Sequence, residues 1–375
     1  MVIQSAIRPD EGIVGTASLP LAQQTPAALT IKRDSSLRAA EWDAYVCRAA
    51  EATFCHLTGW SRVVERTWGH QPSHLYAERG ASVIGVLPLF HVRSRLFGSM
   101  LVSTPNAVYG GVAADDPEAR RALIAEAKRL AAELPVDYLE LRDSWERSDE
   151  SADVELRRKD LYVAFEHPIT TDEEALMRSF PRDLRRMIRQ GPKHGLTAEL
   201  GREEWLDDFY DVYATSVRNL GTPVFPKRLF AAFLREFPTT CDILVVRQGQ
   251  RVAGAVMSFY FRDAVLPYYA GAYPEFYRAG INNFMYWELM RSAAARGYTR
   301  FDFGRSKLGT GAYEFKRGWG MSERPLPYRY YLVRATQMPS LNPANPKFEL
   351  MIKVWKRLPV GLTKLLGPMI VRKLP

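Results

Sequence analysis

Apolar and polar positions along the chain fall into blocks that predict two successive α/β units. From Ala52 the pattern becomes that of a folded unit. Leu57–Trp68 has the spacing of a short helix, and Leu75–Arg79 and Ser82–Val92 read as two strands around a Gly-containing turn. Val83, Ile84, Val86, Leu87 and Leu89 give the second strand its apolar run. Asp115-Asp116-Pro117 opens a helix that runs to Leu134, with proline in its first turn. Asp137–Arg142 follows as a strand in which Tyr138 and Glu140 alternate with apolar neighbours.

A second unit starts near Leu161. Thr171-Asp172-Glu173-Glu174 has capping-box spacing, so a helix follows it. Arg182–Lys193 predicts a basic helix ending at Gly195, and Trp205–Val217 and Pro226–Phe237 predict amphipathic ones. In the last, Leu229, Phe230, Phe233, Leu234 and Phe237 share one face. Ile243–Arg247, Arg251–Phe261 and Ala264–Tyr273 read as a three-strand meander with turns at Gly249-Gln250 and Arg262-Asp263. Asn282–Arg296 is a helix closed by Gly297, and Arg300–Phe303 is a strand from which Gly304 leads the chain out of the sheet. The order helix, helix, antiparallel strands, helix, strand recurs in outline from the first unit, without visible identity between the halves.

The expected organisation is a loose leader over 1–28, one unit over 29–160 and a second over 161–336. A Pro-rich linker and basic amphipathic tail occupy 337–375. The fold class is α/β in the α+β sense, with mixed, mostly antiparallel sheets flanked by helices. In the tail, Met351, Val354, Trp355 and Leu358 follow helical spacing beside Lys353, Lys356 and Arg357, while Pro359 and Gly361 divide it into two short helices. Two readings stay open: the tail meets a membrane surface, or it packs across the two units.

Composition narrows the classes. The 375 residues are 47% hydrophobic and 12% aromatic, which excludes a mostly disordered chain. The net charge of +9 favours anionic partners, but residues 345–375 carry seven Lys/Arg against one acid, Glu349. A uniformly basic surface is therefore not indicated, and DNA is not an expected partner. Three cysteines without framework spacing suit a reducing compartment. No signal peptide and no membrane-spanning stretch is read, so the expected location is cytoplasmic. The six histidines show no HExxH grouping and there is no CxxC, so no metal site is expected. No GxSxG elbow, P-loop or dinucleotide fingerprint is present.

The densest chemistry lies in Phe301–Gly320, where glycines, Lys/Arg and aromatics crowd together. Asp302 is flanked by Phe301 and Phe303, and Arg305 and Lys307 project near the strand's carboxyl edge, where α/β sheets bind ligands. Glycines let backbone N–H groups approach an anion. The competing reading is a mobile surface loop in which Asp302 pairs with Arg305. A second candidate is Tyr273–Asn283, where Arg278 and Asn282 stand at a helix N-terminus suited to anions. An ordinary loop capped by Asn282 competes with it.

Four stretches together resemble a known family. They are Tyr268-Tyr269-Ala270-Gly271-Ala272, Asn283-Phe284-Met285-Tyr286-Trp287, Gly297–Gly304, and Phe315-Lys316-Arg317-Gly318-Trp319-Gly320. They look like the Fem-type peptidyltransferases, in the FemAB-like branch of the GNAT N-acyltransferase superfamily. Leu184–Arg189, Val252-Ala253-Gly254 and the Tyr109-Gly110-Gly111 loop fit the same pattern. The subgroup linked to exosortase (PEP-CTERM) and exopolysaccharide loci is the most similar.

The resemblance implies tandem GNAT-like domains and transfer of an acyl group to an amine on an amino sugar, lipid-linked sugar or peptide. Arg278, Gly280 and Asn282 echo the pyrophosphate loop of acetyltransferases with altered glycine spacing. The long helical hairpin of some Fem proteins is missing. The co-substrate is thus acyl-CoA or aminoacyl-tRNA, with no tightly bound cofactor. Lys316 matches the family's Phe-Lys position near the reacting carbonyl, which implies oxyanion or phosphate stabilisation. Asp302 is the expected positioning group or base. Arg305 and Lys307 would bind phosphates, and Tyr268 and Tyr269 would line the acceptor channel. Tyr109 belongs to the Tyr-Gly-Gly loop. Arg185 with Arg186 and Arg189 either holds phosphate or forms a solvated helix face. A non-catalytic double-GNAT module binding a glycan or assembly partner is the alternative. A site on the inner face of the cell membrane would follow if the tail binds lipid.

Overall fold

A computed structural model describes residues 27–33, 38–94, 98–145, 153–339 and 346–372. The expected leader lies outside the described residues but for its last two. The first unit contains β1 (Leu29–Arg33), α1 (Ala39–Arg48), α2 (Thr58–Trp68), β2 (Gln71–Pro72), β3 (Leu75–Arg79) and β4 (Ser82–Leu87). It continues with β5 (Phe90–Ser94), β6 (Gly98–Val102), β7 (Ala113–Ala114), α3 (Pro117–Glu133) and β8 (Tyr138–Arg142). The expected strand Ser82–Val92 is two strands. Pro88 offers no N–H to a ladder, and β4 and β5 on either side of it join different sheets.

Next come β9 (Arg157–Pro168), α4 (Glu173–Arg178), α5 (Arg182–Ile188), α6 (Gln190–Lys193) and β10 (Leu196–Gly201). Then follow α7 (Leu206–Leu220), α8 (Lys227–Glu236), β11 (Cys241–Gln248), β12 (Arg251–Phe261) and β13 (Ala264–Ala272). The body closes with α9 (Ile281–Ala295), β14 (Arg300–Lys307), α10 (Gly311–Arg317) and β15 (Ser322–Leu332). The expected helix over 182–193 is broken at Arg189, because Pro192 has no N–H for the Ile188 carbonyl. β14 does not leave the sheet at Gly304 but continues to Lys307. Gly304, with φ of 67°, is instead the extra residue of a bulge between Asp302 and Arg305 against β9.

A four-stranded sheet runs β1-β3-β4-β7, and an eleven-stranded one runs β10-β11-β12-β13-β14-β9-β15-β8-β6-β5-β2. The larger sheet crosses from one unit to the other where β15 pairs with β8, Tyr328 opposite Arg142. β15 carries Pro325 and Pro327. Its first half, Ser322–Leu326, pairs only with β9, so the missing N–H groups leave no second ladder unmet. β6–β8 and β13–β14 are the parallel pairs, and the other ladders are antiparallel.

One core serves both units. Trp60 of α2 meets Phe233 of α8 with ring centroids 4.7 Å apart, and Phe54 stacks on Phe259 of β12 at 4.7 Å. A second core lies between α9 and the opposite sheet face, built on Phe284, Trp287, Phe301, Phe303 and Trp319. The tail forms α11 (Pro346–Trp355) and α12 (Val360–Val371). Trp355 donates its indole N–H to the Thr222 carbonyl at 3.0 Å, and Arg372 donates to Trp68 O at 2.9 Å, so the tail packs on the body. Among the described residues no helix is long and apolar enough to cross a membrane.

Candidate active site

β13 and β14 pair in parallel only at Ala264–Arg300 and Val265–Phe301, then part. The loop after β6 enters the gap from the first unit. Val108 N–H donates to Tyr268 Oη at 2.9 Å, and Tyr328 Oη–H donates to the Val108 carbonyl. Arg305 Nη1 donates to Tyr328 Oη at 2.8 Å, with its guanidinium 4.7 Å from the Tyr162 ring centre. The Tyr109 hydroxyl lies 3.0 Å from both carboxylate oxygens of Asp302. Local contacts fix this loop. Arg142 donates to the Thr104 and Ala107 carbonyls, and His56 Nε2 donates to Gly111 O at 2.9 Å while its Nδ1 accepts from Thr53 N–H. Burial pushes His56 down to about 4, so the ring is neutral at pH 7.

Asp302 is buried and accepts the Gly304 N–H at 2.8 Å. Burial raises its carboxyl above the usual range and Glu166 adds to the rise. The Gly304 N–H, Arg324 and the Tyr109 hydroxyl pull the other way. Arg324 holds Glu166 at 2.5 Å and lies 4.1 Å from the Trp145 ring centre, and Arg300 approaches Glu166 at 3.6 Å. Asp302, Tyr109, Arg300, Arg324 and Trp145 border a cavity of about 50 Å³ lined also by Phe54, Phe261 and Leu266. The space admits water, since a single molecule needs roughly 10–15 Å³ measured this way.

Lys316 approaches β14 from the Phe303 side, where its ammonium stands 5.0 Å from the Phe303 ring centre. It donates to the carbonyls of Phe303 at 2.5 Å, Gly304 at 3.3 Å and Arg305 at 3.1 Å. Burial pushes it down to about 8, with Asp302 opposing the shift. The expected oxyanion donor is thus a clamp on the bulge in this geometry, because its three N–H groups already have acceptors. Asp302 and Lys316 hold the same bulge from opposite sides of the strand.

Tyr269 does not line a channel. The bulge between Met257 and Ser258 leaves Tyr268 as the extra residue, so Tyr268 and Tyr269 both face the aromatic core. Tyr269 packs on Phe230 with centroids 5.1 Å apart, and Tyr268 alone of the two reaches the inserted loop. Lys307 ends β14, two residues beyond Arg305.

The remaining expected residues gather elsewhere. Arg278 is exposed on the short turn Pro274–Ala279, and Asn282 is the second residue of α9. Gly280 caps α9 with φ of 71° and no side chain caps that helix. α3 in the first unit is capped by Asp116, which accepts from Ala119 N–H at 2.8 Å. α5 packs against the α9 terminus so closely that a Cβ on Gly280 would lie 2.6 Å from the Met187 carbonyl. Beside it, Arg182, Arg185, Arg186, Arg189 and Lys193 line a groove of about 540 Å³ with Asp183. Sequence reading named Arg185 and its arginine neighbours but missed Glu166, Arg300 and Arg324. Glu166 alternates with Phe165 and His167, a weak signal; Arg324 sits among prolines and carries none. Among the described residues no three His, Cys, Asp or Glu side chains converge as metal ligands.

Residues 178–317 match a protein-family model described as an acetyltransferase (GNAT) domain. No curated protein matches the sequence. FemX superposes with a TM-score of 0.66 at 15% identity, covering 86% of this chain and 100% of that one. The L-PGS of Bacillus licheniformis gives 0.53 at 14% identity, over 85% and 97%. A tandem GNAT protein from the clavulanic acid biosynthesis pathway gives 0.50 at 11% identity, over 83% and 100%. The fold is that of two tandem GNAT-type units.

Proposed function

We propose that the protein is an N-acyltransferase of the FemAB/GNAT type. It moves an acyl or aminoacyl group from acyl-CoA or aminoacyl-tRNA to a primary amine on an amino sugar, lipid-linked sugar or peptide. The reaction belongs to cell-envelope or exopolysaccharide biosynthesis, in keeping with the resemblance to exosortase-linked FemAB-like proteins, and takes place at the inner face of the membrane.

The observation that carries this reading is the parted β13/β14 pair beside the uncapped start of α9. A helix start that no side chain caps can offer N–H groups to phosphate, and the Arg185 groove adds cations next to it. Both donors present phosphates, and α3 is closed to them by its own carboxylate. Arg278 and Asn282 join Arg185 in binding the donor. Arg305, Lys307, Tyr268 and Tyr109 border the gap where carbonyl and amine meet. Asp302, its carboxyl raised by burial, takes the proton of the incoming ammonium through water in the adjoining cavity. The nitrogen lone pair attacks the carbonyl carbon, the C–S or C–O bond breaks, and the leaving thiolate or alkoxide takes up a proton. Lys316 exchanges a backbone carbonyl for the developing oxyanion.

A second reading, a non-catalytic glycan or partner-binding module, draws on the engagement of Lys316 by three carbonyls. The deciding experiment measures equilibrium binding of CoA and of tRNA, then thiol release or tRNA deacylation with amine acceptors. Arg185→Gln with Arg189→Gln should weaken whichever donor binds. Asp302→Asn and Lys316→Met should each lower turnover about 100-fold. Absence of binding by either donor overturns the assignment, and binding without turnover favours the second reading.

A further inference from the structure

The tail is held to the body by one face only. α12 turns Thr363, Gly367 and Val371 inward, and a Cβ on Gly367 would come within 2.4 Å of the Val224 carbonyl oxygen. α11 turns Trp355 inward, and Ile352 covers Gly221 at the end of α7. Most of what faces outward is apolar, with Lys353 exposed among it on α11. Leu350, Met351 and Val354 on α11 and Leu365 and Met369 on α12 are each between 53% and 68% exposed. Leu362, Leu365 and Met369 fall at helical positions i, i+3 and i+7, one stripe along α12. Leu220, which ends α7 beside Gly221, is exposed as well.

Exposed cations border these stripes. Lys356 and Arg357 follow α11, whereas Arg372 after α12 is held by the Trp68 carbonyl. Over 345–375 the balance is seven Lys/Arg against Glu349. A second copy of the chain would cover the apolar stripes only by bringing two such positive faces together, which like-charge repulsion opposes. A surface that is apolar within and anionic at its boundary meets both demands, and helices this short lie along a bilayer rather than across it.

We propose that α11 and α12 dock the protein on an anionic phospholipid surface, with Leu350, Met351, Val354, Leu362, Leu365 and Met369 entering the acyl boundary and Lys356 and Arg357 meeting the headgroups. As a route to a lipid-linked acceptor this rests on the acyl-transfer reading. As a docking surface it stands on the tail alone, and vesicle binding is measured without turnover, so the two fail separately.

The test is co-sedimentation of the full-length protein with phosphatidylcholine vesicles, with and without phosphatidylglycerol, over a salt series. Binding should need phosphatidylglycerol and weaken with salt. Lys356→Gln with Arg357→Gln should lower it about 25-fold, at about fivefold per basic residue. Leu365→Glu with Met369→Glu should lower it at least about tenfold, with Met351→Glu as the independent substitution if the α12 variant melts early. Equal binding to neutral and anionic vesicles, no binding to either, or unchanged binding by the Glu variants overturns the proposal. A concentration-dependent dimer dispersed by Leu365→Glu with Met369→Glu, without vesicle binding, assigns the face to a second copy and overturns it too.

Discussion

Tyr109→Phe isolates one of the contacts that join the two units at the candidate site. The substitution removes one hydroxyl from a residue 1% exposed, and that hydroxyl lies 3.0 Å from each oxygen of the Asp302 carboxylate. A hydrogen bond to a charged group contributes about 1.5–3 kcal/mol net, and Asp302 would keep only the Gly304 N–H as a direct donor. The expected destabilisation with Asp302 ionised is therefore about 2 kcal/mol. Its pH dependence is diagnostic. Burial raises the Asp302 carboxyl, so between its unfolded value and its folded value the native state holds more protons than the unfolded one. Stability from this group falls as pH rises through that window. The Tyr109 hydroxyl counters the rise, so the variant lifts the folded value further and widens the window upward. Urea unfolding at a series of pH values measures both effects. The difference between wild type and variant should be largest at the pH values where Asp302 is ionised and shrink towards the ~1 kcal/mol of an uncharged hydrogen bond as Asp302 takes up its proton. A difference below about 0.5 kcal/mol, or one that does not change with pH, refutes the inferred bond.

Lys316 should leave its own signature. Its ammonium is pushed from 10.5 to about 8, so between those values the unfolded chain holds a proton the folded one lacks, and stability from this group rises with pH. Lys316→Met should flatten that rise in urea midpoints measured between pH 8 and 10, and an unchanged slope would contradict the burial of the ammonium. Gly304→Ala tests the bulge: nothing lies within 4 Å of the added Cβ, so only the backbone conformation at φ of 67° opposes it, and the loss should be about 1 kcal/mol by thermal or urea unfolding. Gly280→Ala combines φ of 71° with a Cβ 2.6 Å from the Met187 carbonyl, and should lose about 3 kcal/mol while displacing α5 from the start of α9. Equal losses for the two glycines would refute the close approach.

Much of the second unit was legible because its elements are periodic and cleanly bounded. α8, β12, β13 and α9 fall within two residues of their expected limits, since Gly249-Gln250 and Arg262-Asp263 are turns of low ambiguity. β15 was not legible because Pro325 and Pro327 read as breakers, and only the one-sided pairing of that stretch makes them tolerable. Tyr268 and Tyr269 are both expected to line a channel, and a bulge between Met257 and Ser258 on the neighbouring strand turns both toward the aromatic core. The site was legible as a list of residues but not as an arrangement. Tyr109 and Asp302 are 193 positions apart, and Arg324 and Glu166 are 158 apart. No local spacing records such pairs. Lys316 shows the converse limit. Its residue type and neighbours imply a donor facing substrate, whereas the bulge at Gly304 turns three carbonyls toward it.

The pairing of β8 with β15 has a consequence for synthesis on the ribosome. Arg142 emerges roughly 180 residues before its partner Tyr328, a delay of roughly 10–40 s at ordinary elongation rates. Throughout that interval the nascent amino-terminal half carries a bare strand edge and lacks its share of the common core. Released early, or expressed by itself, that half is a substrate for chaperones and for edge-to-edge association rather than an independent module.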